Sequence, residues 1–141
     1  MICTFFGHRD TQNVIREPLK TEILKLISCR VREFYVGNNG NFDLIVQNVL
    51  FELLQSKFDI KVSIVLSSIA EKAISGYQEL TVFPEELSSV FKKFAINKRN
   101  EYMIKKATHV IAYVSDVATC SAKWLSIAKK ANKKIINLCE K

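Results

Sequence analysis

Phe34-Tyr35-Val36-Gly37-Asn38-Asn39-Gly40-Asn41-Phe42-Asp43 sets three β-favouring residues against a Gly/Asn run and then opens an apolar-periodic segment. Behind it Ile45, Val46, Val49, Leu50, Leu53 and Leu54 continue the face begun by Phe42 at helical spacing. The stretch therefore predicts a strand over Glu33–Val36, a tight polar loop and an amphipathic helix in direct succession. The glycines permit positive φ and close approach of a ligand. The exposed N–H groups of the helix start, together with the helix dipole, favour an anion there. Spacing alone equally admits a plain turn at Asn39-Gly40 with Asn41 or Asp43 capping the helix.

Working outward, Ile2–Phe6 reads as a buried strand halted by Gly7. A helix follows from about Pro18 to Arg32, marked by Leu19, Ile23, Leu24, Ile27 and Val31. Lys61–Leu66 is a third strand, and the weakly periodic stretch from Ser67 to Pro84, broken at Gly76, reads as a loop with short helices. Ala95 to Lys106 predicts a helix, Thr108–Val114 a strand, Thr119–Ala131 a helix and Lys134–Leu138 the last strand. Such alternation predicts an α/β fold, a Rossmann-like three-layer sandwich with a mostly parallel sheet of about five strands. Ligands of such sheets collect at the carboxyl ends of the strands.

The chain has 141 residues, 48% of them hydrophobic, which fits one domain over 1–141 with an ordinary core. No apolar run approaches the roughly 20 residues of a membrane span. The opening Met-Ile-Cys-Thr-Phe-Phe-Gly-His-Arg-Asp lacks the features of a signal peptide. A cytoplasmic protein without membrane contact is expected. Cys3, Cys29, Cys120 and Cys139 are scattered, with no metal-ligand spacing; reduced thiols, several of them buried, are expected, and neither a metal nor a cofactor. An excess of 21 Lys and Arg over 14 Asp and Glu, a net +7, favours phosphorylated partners.

Several residues carry candidate chemistry. Arg9 offers a fork of donors to a phosphate and His8 a hydrogen bond or a proton, although a local Arg9–Asp10 pair would need no ligand. Arg99 and Asn100 either reach the ligand edge or lie on a solvated helix face. His109, at a strand start, falls on the opposite edge and reads as structural. Thr119 or Ser121 either caps a helix or touches a phosphate. Lys129, Lys130, Lys133 and Lys134 lack interleaved aromatics and read as a solvated surface, so nucleic acid is not expected as a partner.

Together, Thr4-Phe5-Phe6-Gly7-His8-Arg9, the 34–43 stretch, Pro84-Glu85-Glu86, and Arg99-Asn100 with Met103 resemble the SLOG superfamily, particularly its small YpsA-like members. The motifs span most of the chain in the expected order. That superfamily includes the cytokinin-activating LOG phosphoribohydrolases, the DNA-processing Smf proteins and sensor domains for nucleotide-derived signals. The resemblance implies a Rossmann-like fold, a nucleotide pocket and a homodimer. It places Gly7, His8, Arg9, Gly37, Gly40, Phe42, Asp43, Pro84, Glu85, Arg99 and Asn100 at the ligand, with Asn38, Asn39, Asn41, Thr119 and Ser121 beside them. Asn38 and Asn41 stand where glycine is common, and Glu86 replaces a Gly. Thr119-Cys120-Ser121-Ala122 stands in for a Gly-Gly-Ala-like segment, and Leu44 occupies the position of the LOG catalytic glutamate.

The expectation is a non-catalytic domain that binds or senses a nucleotide, of ADP-ribose type among others. The alternatives are a nucleoside monophosphate N-glycosidase using Asp43, Glu85 or Asp116, and a nucleic-acid-binding module.

Overall fold

A computed structural model of the chain describes residues 1–115 and 120–139. Ile2–Gly7 (β1) enters α1 (Arg16–Ser28), Glu33–Val36 (β2) enters α2 (Gly40–Gln55), and Lys61–Val65 (β3) leads through a long connection to the two-residue β4 (Thr81–Val82). Then come α3 (Ala95–Lys106), β5 (His109–Tyr113), α4 (Cys120–Lys130) and β6 (Lys134–Asn137). The sheet has six strands in the order β4-β3-β2-β1-β5-β6, every pair parallel. The α/β sandwich expected from the alternation of elements is the observed fold.

Alternate residues along each strand feed two apolar layers. Cys3, Phe5, Phe34, Val36 and Ile64 face α1 and α2, whose Leu19, Ile23, Val46 and Leu50 complete that core. Phe6, Val65, Val110 and Ala112 face α3 and α4, against Met103, Ile104, Trp124 and Leu125. This is the period-two alternation of a sheet covered on both sides.

The sixth strand is the one strand absent from the sequence reading, and of the four thiols only Cys3 is buried, Cys29, Cys120 and Cys139 being exposed. β4 pairs only Thr81 with Ile64 and Val82 with Val65, too short a stretch to show a period. The first helix starts at Arg16 and stops at Ser28 rather than Arg32. Arg30 turns left-handed at φ 72°, and the Val31 and Arg30 N–H groups close on the carbonyls of Leu26 and Ile27, a Schellman end built without glycine.

Chain order places the site. From β1 the chain winds outward through β2, β3 and β4, then returns to the other side of β1 to lay down β5 and β6. The loops after β1 and β5 therefore part in opposite directions and leave a crevice at the carboxyl edge between them.

Candidate functional site

That crevice opens into a cavity of about 520 Å3. Its floor is the end of β1 with Gly7, His8, Arg9 and Asp10. One wall comes from Gly37, Asn39 and Asp43, and the other from Asn97, Arg99 and Asn100 of α3 and Cys120 and Ser121 of α4. Phe6, Ile96, Met103 and Trp124 supply an apolar side.

Two glycines make the close approach possible. A Cβ on Gly7 would lie 2.3 Å from Cγ of the buried Phe42 ring. Gly40, with φ +89°, would push a Cβ to 2.8 Å from the Arg9 Cα. The first two strand-end loops thus lie against each other, joined by the Asn41 N–H to the Arg9 carbonyl at 2.8 Å. The Asn41 side-chain amide donates to the Thr11 carbonyl.

Among the described residues, Asp43 and Arg99 are the buried charged side chains, and both line the cavity. Burying charge is costly unless it is compensated. Asn39 mediates that compensation. Its backbone N–H donates to Asp43 Oδ2 at 2.9 Å; its side-chain oxygen accepts from Arg99 Nη2 at 3.0 Å while its amide nitrogen donates to the Asn38 carbonyl at 3.0 Å. Arg99, 2% exposed, also donates from Nη1 to the Val65 carbonyl and from Nε to Asn100 Oδ1. Burial lowers its pKa, opposed by Asp43 and then Glu71. Burial pushes Asp43 up to about 6, opposed by the Asn39 N–H, Arg99 and Arg9. The site therefore holds a carboxyl that titrates near neutrality.

His8 bridges the crevice, accepting the Ser115 N–H on Nε2 at 2.9 Å, which requires that nitrogen to be unprotonated while the bond is made. Ser121 Oγ donates to the Gly7 carbonyl at 2.7 Å. Arg9 is exposed at the cavity rim and, among the described residues, has no ion pair with Asp10.

Gly7, His8, Arg9, Gly37, Asn39, Asp43, Arg99, Asn100 and Ser121 come together on the cavity. Phe42, Gly40 and Asn41 support it from behind. Asn38, expected at the ligand, is instead a structural tie. Its Nδ2 donates to Glu71 Oε2 at 2.6 Å and to the Lys72 carbonyl at 2.8 Å, and its Oδ1 accepts from the Ile74 N–H and Gln47 Nε2. Pro84 and Glu85 are also corrected: they follow β4 at the far sheet edge, do not line the cavity, and open a short 3-10 turn in which Glu85 is exposed. Asp116 and Thr119 lie outside the described residues. His109 begins β5 on the opposite edge, its Nδ1 2.8 Å from Thr108 Oγ1.

The expected anion cradle of the Gly/Asn loop is partly filled by the protein itself, since Asp43 takes the Asn39 N–H and Arg9 the Asn41 N–H. Ile96 and Trp124 were missed as site residues. Ile96, Arg99, Asn100 and Met103 follow the i, i+3, i+4, i+7 spacing of a single helix face, a signal that was present in the sequence.

Among the described residues no cluster of His, Cys, Asp and Glu is arranged to hold a metal, and no helix is long and apolar enough to cross a membrane. The chain matches no family model and no curated protein.

Proposed function

We propose that this chain binds a nucleotide or nucleotide-derived phosphate ligand in the cavity at the β1/β5 crevice, as a SLOG-like domain. The observation that carries this reading is the placement of both buried charges, Asp43 and Arg99, on a cavity at the switch point of a parallel sheet. Its volume, about 520 Å3, falls within the roughly 300–1,000 Å3 of small-molecule sites. Arg9 at the rim supplies a charge-assisted fork for a phosphate. The apolar side made by Met103, Trp124 and Ile96 suits the face of a base.

Because the Asp43 N–H partner is already committed, the phosphate belongs toward Arg9 rather than within the Gly/Asn loop. Arg9→Ala should weaken binding of ADP-ribose or AMP by roughly 10- to 100-fold, the loss of a charged hydrogen bond worth about 1.5–3 kcal/mol. Unchanged affinity in a calorimetric titration would remove Arg9 from the site.

N-glycosidic hydrolysis is the second reading, and the Asp43 carboxyl, raised to about 6 on the cavity wall, favours it. An acid near neutrality can activate water or steady a developing oxocarbenium charge. Chromatography of AMP incubated with the protein decides: base release lost in Asp43→Asn supports hydrolysis, and binding without base release supports the sensor reading.

A further inference from the structure

The positive charge of the chain is concentrated on the edge opposite the cavity. Because the strands run parallel, the starts of β1, β2, β3, β5 and β6 and the ends of the four α-helices fall there. The segments 29–33, 56–61, 105–109 and 129–134 hold ten Lys and Arg against Glu33 and Asp59, so this edge accounts for the whole of the net +7.

The cations flank the sheet on both sides. Lys105 and Lys106 end α3, and Lys129 and Lys130 end α4, on one side; Arg30 and Lys57 stand at the ends of α1 and α2 on the other. All six are exposed. A helix dipole favours a cation at its end by about 0.3–1 kcal/mol, which accounts for single residues. It does not account for the pairs on α3 and α4, nor for their continuation through Lys133 and Lys134 into β6.

The chemistry of the edge selects the partner. Exposed apolar residues such as Val14, Ile69, Phe91, Phe94 and Ile96 follow strands or precede helices, on the cavity edge. On the basic edge only Met1 and Phe58 are comparably exposed among the described residues, so that edge offers little to insert into a bilayer and one isolated ring rather than an aromatic platform for unstacked bases. The five strands that reach this edge, β3-β2-β1-β5-β6, spaced about 4.8 Å apart, make it ~19 Å long, a length over which a duplex presents roughly 11 phosphate charges. We propose that this edge binds the phosphate backbone of a nucleic-acid duplex without reading its sequence, independently of the cavity.

The test is fluorescence anisotropy of ~20-base-pair DNA and RNA duplexes titrated with the whole chain over a salt series, where the logarithm of affinity should fall with the logarithm of salt at a slope of about −4 or steeper. Replacing Lys105, Lys106, Lys129 and Lys130 by Gln should lower affinity at least ~10-fold at low salt and make the slope shallower by about 3 to 4. Lys130→Gln alone should make it shallower by about 1. Lys92→Gln with Lys93→Gln, on the cavity edge, should change neither. Binding of both duplexes fits a backbone contact, and binding of one identifies the source. Three results would overturn the proposal: equal losses from both sets of variants, wild-type binding by the fourfold variant, or binding of phosphatidylserine vesicles without binding of either duplex.

Discussion

Asp43 shows how much a single residue decides at this site. Its carboxyl takes the position of an anion at the start of α2, accepting the Asn39 N–H, yet burial holds it near a pKa of about 6 against an ordinary 3.8. The folded state keeps a proton that the unfolded chain has already released, so this residue makes stability fall as pH rises from about 4 to about 6, then level off. The full effect is at most ~3 kcal/mol at neutral pH. Denaturant unfolding across that range should show the fall in the wild type and its loss in Asp43→Asn; parallel profiles would show that Asp43 does not carry it. Gly7 is the steric counterpart. Gly7→Ala drives a Cβ into Phe42 and should cost about 1–3 kcal/mol of unfolding free energy, the range for overpacking a filled core. The polar residues around Asp43 were only partly legible in the sequence. Asn38 and Asn41 invite a ligand by their place between glycines, but their partners, Glu71, Ile74 and Thr11, are 30 or more residues distant. No local pattern reveals such ties.

At the scale of elements, the helix ends explain where sequence reading stopped short. Three helices close in Schellman form around Arg30, Lys57 and Asn132, with φ of 72°, 70° and 61°. None is glycine, so the usual stop signal is missing and α1 reads four residues too long. A left-handed residue with a Cβ costs roughly 1–2 kcal/mol, partly offset for glycine by unfolded-state entropy. Lys57→Gly should therefore raise the unfolding free energy by about 0.5–1 kcal/mol, and a fall in the denaturant midpoint would contradict the closure described. β2 and α3 were placed residue for residue, Glu33–Val36 and Ala95–Lys106, because apolar periodicity and clear breaks coincide there. β4 could not be placed, since its pairing with β3 is a property of the folded sheet.

Over the whole molecule, parallel topology separates two edges of different chemistry. Strand ends and helix starts gather the cavity, the two buried charges and most of the exposed apolar residues. Helix ends and strand starts gather the cations. Alternating elements made the sandwich legible, and from it the carboxyl edge as the ligand edge. The basic edge was not, because Lys105 and Lys130 are separated in sequence and meet only through the order of β5 and β6. Arg99 illustrates the same limit on the cavity side: its helix spacing left a solvated face and the ligand edge both open, and its bonds to Val65 and Asn39 needed β3 and the β2 loop brought beside it.

The most direct measurement is a calorimetric titration of the chain with ADP-ribose, and in parallel with AMP, ADP, NAD and cyclic nucleotides. Saturable one-to-one binding of at least one of them, with a Kd on the order of micromolar and a free energy of about −8 kcal/mol, is the predicted result. No saturable binding by any of them at ligand concentrations up to about 1 mM, where even a −4 kcal/mol interaction begins to fill a site, would contradict the nucleotide reading of the cavity.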